Sequence, residues 1–388
     1  MKNQTIFDYV KKYGQYSFIA MPFNEVDAAI LATLSYINFG DFVPSLAEPG
    51  QDIVLSSLDR EDNLEILMEG TVTTKMDRRF FHLCAQSKRF GNMQMNYVLH
   101  YFDKEKAIQF FAITFLLDNG FSCVTYRGTD SSMVGWKEDL MMALDDRLPS
   151  YLVAAQYLTT ISELLPDHPL IVTGHSKGGA LAIYAATFVP EEIQNQVIRV
   201  YDLDGPGFKT ALKENPSFER IYPKIIKIMP IDSVIGVLLE TSSKVKIIQA
   251  KSFSIFQHSA YNWFTRENHF AKAKKLTKHS LALSVNMREF IARLNEEEKR
   301  DFIETLFSII ESSHIYTIHD LGKHIDKNIY LAIKSISAML KDEEKSTLFK
   351  KVIREYIQIY LGNIGRRIDM ADQKEPIDII AEIVEKKI

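Results

Sequence analysis

With 388 residues, the chain is long enough for one large domain or two ordinary ones, and its 46% hydrophobic and 25% charged residues are typical of a globular protein. This composition excludes a disordered chain, a collagen and a small disulfide-linked scaffold. The formal net charge of −4 provides no overall positive field that would attract nucleic acid.

The cysteines and the N-terminus point to a reducing compartment. Cys84 and Cys123 form no CxxC motif, so we expect neither a structural disulfide nor a metal site. Charges at Asp8, Lys11 and Lys12 interrupt the apolar stretch that a signal peptide would need. The longest uncharged run, 148–162, is too short and too polar to cross a bilayer. The sequence therefore predicts a soluble, cytoplasmic protein without a transmembrane segment.

The first half of the chain changes character near residue 97. Apolar residues at helical spacing predict a helix over 25–39, whereas 40–96 shows no clear period. Runs rich in β-branched and aromatic residues then predict three strands, over 97–102, 107–117 and 120–126. An Asp-Asn-Gly turn separates the second strand from the third, which predicts an antiparallel hairpin.

Strands and helices then alternate. Predicted strands at 170–173, 197–203, 225–229 and 245–250 and a small-residue helix at 178–188 indicate a mostly parallel central sheet flanked by helices. After Trp263 glycine becomes scarce, and amphipathic patterns predict helices within 299–310 and 348–360. We therefore divide the chain into an α/β domain, 1–269, and a helical extension, 270–388. The extension either packs on the α/β domain or acts as a partner-binding or substrate-covering module.

The segment 170–180 contains the residues that most clearly indicate a catalytic site. A strand leads into Gly174–His–Ser176–Lys–Gly178, and a helix follows, which is the arrangement of a nucleophile elbow. A serine at so sharp a turn is lifted clear of the sheet, and only small neighbours fit beside it. The helix N-terminus behind the serine also favours developing negative charge. We predict that Ser176 is a nucleophile.

A serine nucleophile needs a base, and the base needs an orienting acid, which follow in the order Ser, Asp or Glu, His. Asp232 and His258 follow consecutive strands after Ser176, and we predict that they are the acid and the base. Asp204 follows an earlier strand, before a Gly-Pro-Gly turn, and is the alternative acid.

The remaining histidines rank below His258. His269 and His279 follow the start of the charged helical region, and His175 is expected to support or pack against the site. Three further histidines lack the i, i+4 spacing of a helical metal pair and are interpreted as surface residues: His314, His319 and His324. We therefore predict no metal ligands and no cofactor.

The oxyanion of a tetrahedral intermediate needs two backbone N–H donors. We predict one at Lys177, directly after the nucleophile, and the other at Thr129, in the loop that follows the strand 120–126. The apolar stretch 231–239 could line an acyl pocket or could belong to the core. The acyl pocket or the core is likewise the expected place of Met133, Trp136, Met141 and Met142. Within this set Trp136 is expected to be a buried anchor, and the nearby Asp139 a hydrogen-bonding carboxylate.

Several motifs together resemble the class 3 (fungal-type) triacylglycerol lipases. They are 126–129 (YRGT), 135–140 (GWKEDL) and 173–179 (TGHSKGG). Residues 24–27 (NEVD) and 258–263 (HSAYNW) make the chain more similar to an uncharacterised, mostly bacterial lipase-like family. Over roughly 20–270, the resemblance implies an α/β-hydrolase fold, a Ser176–Asp232–His258 triad and an oxyanion hole at Thr129 and Lys177.

Two features depart from the lipase pattern. Lys177 replaces the usual leucine, and its charge is expected to disfavour a purely apolar entrance. Asp232 and His258 are also close in sequence, which leaves little room for a long lid between them.

The predicted function is hydrolysis of carboxylic esters, with a lipid or other small ester as substrate. A catalytically idle fold that acts as a binding or scaffold module is the alternative, as is a thioesterase or peptidase that uses the same triad.

Overall fold

The computed structural model describes residues 3–312, apart from 72, 143, 146, 147 and 211, together with Lys351. The predicted helix over 348–360 lies outside the described residues except for Lys351, and so do His314, His319 and His324.

Ten strands lie within the described part of the chain. They are β1 (Ile53–Val54), β2 (Gln94–Asp103), β3 (Ile108–Leu116), β4 (Ser122–Tyr126), β5 (Leu170–His175), β6 (Val197–Leu203), β7 (Ile225–Pro230), β8 (Val245–Ile248), β9 (Thr265–Arg266) and β10 (His269–Phe270).

The helices of the same residues fall before, between and after these strands. They are α1 (Ile6–Tyr13), α2 (Glu25–Leu34), α3 (Glu61–Leu67), α4 (Thr74–Ala85), α5 (Lys88–Gly91), α6 (Met133–Met141), α7 (Pro149–Leu164), α8 (Lys177–Phe188), α9 (Glu191–Gln196), α10 (Pro216–Ile221), α11 (Lys278–Arg293) and α12 (Glu296–Ser312).

The central sheet has eight strands, which follow one another across it in chain order from β1 to β8. The pairs from β1 to β4 are antiparallel, and those from β4 to β8 are parallel. The predicted hairpin is confirmed, with Gly120 at a φ of +80° in the turn between β3 and β4. The strands β9 and β10 form a separate antiparallel ribbon.

Helices cover both faces of the sheet. Successive residues of a strand point to opposite faces, so Ile171 packs in one apolar cluster with α1, α2 and α4, and Val172 packs in another with α7 and α8. Every residue of β5 is buried, as expected for a central parallel strand covered on both faces. The α/β-hydrolase architecture predicted from the sequence is therefore present.

The helices α11 and α12 contact the α/β layers. Ser280 Oγ donates a hydrogen bond to the carbonyl of Ser233 at 2.6 Å. In α12, Ile303 and Phe307 pack with Met133 and Leu144. Within the described residues, no helix combines the length and apolar character needed to cross a membrane.

Candidate active site

Ser176 lies at the turn between β5 and α8 with φ 58° and ψ −132°, a conformation that L-residues rarely adopt. The neighbouring glycines permit this turn. A Cβ added at Gly174 would lie 2.1 Å from the carbonyl oxygen of Gly178, and one added at Gly178 would lie 2.2 Å from that of Tyr126. The predicted sharp strand-to-helix turn is therefore present, and side chains larger than hydrogen are excluded on both sides of the serine.

His258 is paired with Asp204. Its Nδ1 lies 2.7 Å from Asp204 Oδ2, and the Asp204 side chain is fully buried. Asp204 follows β6, the strand beside β5, and has a φ of +54°. Its other carboxylate oxygen accepts a hydrogen bond from Ser233 Oγ at 2.6 Å. The carboxylate is thus held on both sides and faces the histidine ring.

The predicted pairing of Asp232 with His258 is wrong. The Asp232 carboxylate instead accepts hydrogen bonds from Ser254 N at 2.6 Å and from Thr277 Oγ1. His279 Nδ1 also lies 3.2 Å from it. Partial burial raises the pKa of Asp232, but these hydrogen bonds outweigh burial and hold that pKa below its usual value. Asp232 thereby joins the loop before His258 to the start of α11.

Ser176 and His258 line the same cavity. Because Nδ1 of His258 faces a carboxylate, Nδ1 carries a proton, and in the neutral ring Nε2 is free to accept the proton of a serine. In the described part of the chain, the Ser176 hydroxyl makes no hydrogen bond, either to His258 or to another side chain. In many enzymes the catalytic histidine and serine form their hydrogen bond only when the substrate binds.

His175 holds the backbone of His258. Its Nε2 lies 2.8 Å from the His258 carbonyl oxygen, and its Nδ1 lies 2.9 Å from the Tyr36 hydroxyl. The carbonyl can only accept, so Nε2 carries the proton and Nδ1 accepts from Tyr36. Burial and the nearby charge of His258 lower the pKa of His175 to about 3, so its ring stays neutral. This placement agrees with the predicted supporting position of His175.

The predicted oxyanion loop lies against the elbow. A Cβ added at Gly128 would lie 3.0 Å from the Ser176 Cβ. Thr129 Oγ1 lies 2.7 and 2.6 Å from the two carboxylate oxygens of Asp139. Burial raises the pKa of Asp139 to about 6, partly opposed by the charge of Lys177. Asp139 is the predicted hydrogen-bonding carboxylate, and it ties the loop to α6.

The Lys177 side chain points into the protein, which contradicts the expected charge at the cavity entrance. Both Lys177 and its partner Glu138 are almost fully buried, and Lys177 Nζ lies 2.9 Å from Glu138 Oε2. The same Nζ donates to the Gln109 carbonyl at 2.6 Å and to Gln109 Oε1 at 2.9 Å. Glu138 therefore neutralises the charge of Lys177 in the interior, beneath α6. Of α8, only the first turn borders the cavity.

The cavity has a volume of about 370 Å³ and a mainly apolar wall. The predicted stretch 231–239 contributes Ile235, Leu238 and Leu239. Trp136 also lines the cavity and is 39% exposed, so the expectation that it is a buried anchor is wrong. Met142 lines the cavity as well, whereas Met133 packs against α12 in a separate cluster.

Sequence reasoning missed part of the wall. Met287 and Ile291 of α11 line the cavity, as do Leu140, Ile255 and Tyr261. The sequence placed α11 only within a helical extension, and a helical assignment does not distinguish packing on a core from packing over a cavity.

Solved structures similar to this chain include the following fungal proteins. The Rhizomucor miehei lipase propeptide complex is 13% identical over 61% of this chain and 79% of that one, with a TM-score of 0.38. A mutant form of MDLA from Penicillium cyclopium is 12% identical over 65% and 86%, with a TM-score of 0.39. Lip2 lipase from Yarrowia lipolytica is 15% identical over 46% and 83%, with a TM-score of 0.32.

Similarities as distant as these give no information about the roles of the site residues. The architecture is instead established by the strand order of the sheet and by the turn at Ser176. No significant sequence match is found among curated proteins. A protein-family model described as Mbeg1-like matches residues 84–308, which is more than half of the chain. The matched residues include the turn at Ser176, Asp204 and His258. The chain therefore belongs to the Mbeg1-like family and has a lipase-like α/β-hydrolase fold.

Proposed function

We propose that this protein is a serine hydrolase that cleaves carboxylic esters with an apolar acyl group. The observation that carries the proposal is the contact of Asp204 Oδ2 with Nδ1 of His258, which lines the same cavity as the strained Ser176. A buried carboxylate that orients a histidine beside an elbow serine is the arrangement of an acyl-transfer site.

The reaction follows from these positions. Ser176 Oγ attacks the ester carbonyl while His258 Nε2 takes its proton, and Asp204 stabilises the resulting imidazolium. The N–H groups of Thr129 and Lys177 bind the oxyanion. His258 then protonates the leaving alkoxide, which departs as an alcohol, and water hydrolyses the acyl-enzyme by the same route.

Ser176→Ala is expected to abolish covalent labelling by a fluorophosphonate probe and to abolish hydrolysis of p-nitrophenyl esters. The probe reacts only with an activated serine, and removing a triad nucleophile costs on the order of 10⁶-fold in kcat. Ser254→Ala, in the loop before His258, serves as a control that should retain both signals. Full esterase activity in the Ser176→Ala protein would contradict the proposal.

The absence of a hydrogen bond from the Ser176 hydroxyl to any described residue favours a second candidate, a catalytically idle fold that binds an apolar ligand in the same cavity. A folded wild-type protein that is not labelled by the fluorophosphonate would favour this candidate. Thioester or amide substrates would use the same residues, so parallel assays with p-nitrophenyl esters and acyl thioesters distinguish these activities.

The acyl chain is expected to extend towards α11. Ile291→Trp puts a larger side chain into the cavity wall and should lower kcat/KM for a twelve-carbon ester relative to a four-carbon ester by roughly tenfold. This is the effect of displacing about two methylenes of the acyl chain, since each buried methylene contributes about 0.8 kcal/mol. The matched control is Ala292→Trp, on the exposed side of α11, which should leave the ratio unchanged. An unchanged ratio in Ile291→Trp would place the acyl chain elsewhere.

A further inference from the structure

Exposed apolar side chains surround the mouth of the cavity. Trp136 of α6 and Ile255 line the cavity and are 39% and 42% exposed. Phe253 and Phe256 flank Ile255 in sequence and are more exposed, at 66% and 59%. Large apolar side chains that cluster on the surface in this way mark an interaction site.

The outer face of α11 has further exposed apolar side chains. Leu281 and Val285 are about half exposed and lie one helical turn apart, whereas Met287 and Ile291 of the same helix line the cavity. We call the following five side chains the apolar rim: Phe253, Ile255, Phe256, Leu281 and Val285.

A group of lysines lies beside the apolar rim. Residues 244–279 contain eight lysine or arginine residues and one acidic residue, Glu267, although the whole chain has more acidic than basic residues. Besides Lys244, five of these lysines are exposed, and none of the five has an acidic partner among the described residues. We call them the basic segment: Lys251, Lys272, Lys274, Lys275 and Lys278.

Asp232 brings the apolar rim and the basic segment together. Its carboxylate binds Ser254 N, next to Phe253, and it also binds Thr277 and His279, on either side of Lys278. The apolar rim at Phe253 and the basic segment at Lys278 therefore lie next to each other, beside the cavity that Ile255 lines. The positive charge of this surface contrasts with the net charge of −4 of the whole chain.

We propose that this surface docks the protein on an anionic lipid bilayer. The apolar rim enters the interface between headgroups and acyl chains, and the basic segment contacts the anionic headgroups. The charge of the basic segment selects an anionic surface, and the exposed phenylalanines select a lipid one. Docking in this orientation places the mouth of the cavity against the bilayer. It does not depend on the reactivity of Ser176.

The test uses the full chain with Ser176→Ala, so that no lipid is consumed. Vesicles of phosphatidylcholine alone are compared with vesicles that also contain phosphatidylserine, and bound protein is measured by co-sedimentation. We expect binding to the anionic vesicles only, and a steep loss of that binding as salt is raised. Equal binding to both vesicles, or to neither, would overturn the proposal.

Two variants test the surface itself. Lys272→Gln/Lys274→Gln/Lys275→Gln/Lys278→Gln should weaken vesicle binding by about fivefold for each lysine removed. Phe253→Ser/Phe256→Ser should weaken it by at least about tenfold. The controls are Lys11→Gln/Lys12→Gln and Phe102→Ser, which change exposed residues outside the proposed surface.

Thermal unfolding shows whether each variant remains folded. If the lysine and phenylalanine variants bind anionic vesicles as tightly as the controls do, the proposal is wrong. If the phenylalanine variant instead converts an oligomer to a monomer in size-exclusion chromatography without altering vesicle binding, the apolar rim faces a second copy of the chain, which also overturns the proposal.

Discussion

Asp204→Asn is expected to lower kcat by roughly 10³- to 10⁴-fold with little change in KM. The carboxylate accepts the Nδ1 proton of His258 at 2.7 Å, and the amide of asparagine can instead present a donor to that nitrogen. The histidine would then carry its proton on Nε2 and could not accept one from Ser176. Ester hydrolysis and the rate of fluorophosphonate labelling measure the effect, and the melting temperature shows that the fold is intact.

Asp232→Asn is the matched control, because Asp232 is the acid predicted from the sequence. It contacts Ser254, Thr277 and His279 rather than the histidine ring of the site. We expect less than about tenfold loss in kcat, together with lower stability of α11. A loss in Asp232→Asn that equals or exceeds the loss in Asp204→Asn would contradict the assignment of the acid.

Lys177→Met is expected to lower the free energy of unfolding by about 3–5 kcal/mol, measured by urea denaturation. The substitution leaves the buried Glu138 carboxylate without its cation at 2.9 Å, and an unpaired buried charge is strongly destabilising. Adding Glu138→Gln should restore most of the loss, because glutamine carries no charge and can still accept the hydrogen bond from Gln109 N.

An ion pair one residue earlier on α6 provides the comparison. Lys137 Nζ lies 2.7 Å from Glu304, whose side chain is about half exposed. Lys137→Met should cost less than about 1 kcal/mol, because solvent screens exposed pairs. Similar losses in Lys177→Met and Lys137→Met would show that the buried pair does not stabilise the fold as argued.

The pairing of the acid illustrates what strand order leaves open. Asp204 and Asp232 both follow strands that come after the nucleophile's strand, so both satisfy the expected order. Asp204 faces His258 because it follows β6, directly beside β5, and adopts a φ of +54° at the turn. The direction of a turn and the path of the returning loop depend on contacts distant in sequence.

The segment 40–96 shows the same dependence. Its helices α3 and α5 have only 7 and 4 residues, too few to show a clear period, and long-range contacts hold this part of the chain. Arg89 of α5 forms a fully buried ion pair with Asp27 of α2, with Nη2 and Oδ2 2.6 Å apart. A pair separated by 62 positions has no local signature in the sequence.

The local chemistry of this protein follows directly from its amino-acid sequence. The glycines around Ser176 permit one kind of turn, the alternation of strands and helices leads to a parallel sheet, and Asp-Asn-Gly specifies a hairpin. These features depend on steric effects between near neighbours. Three features became evident only in the folded chain: Asp204 orients His258, Lys177 turns inward to Glu138, and α11 lines the cavity. Each of those outcomes depends on packing between segments far apart in the chain, where many arrangements satisfy the same local pattern.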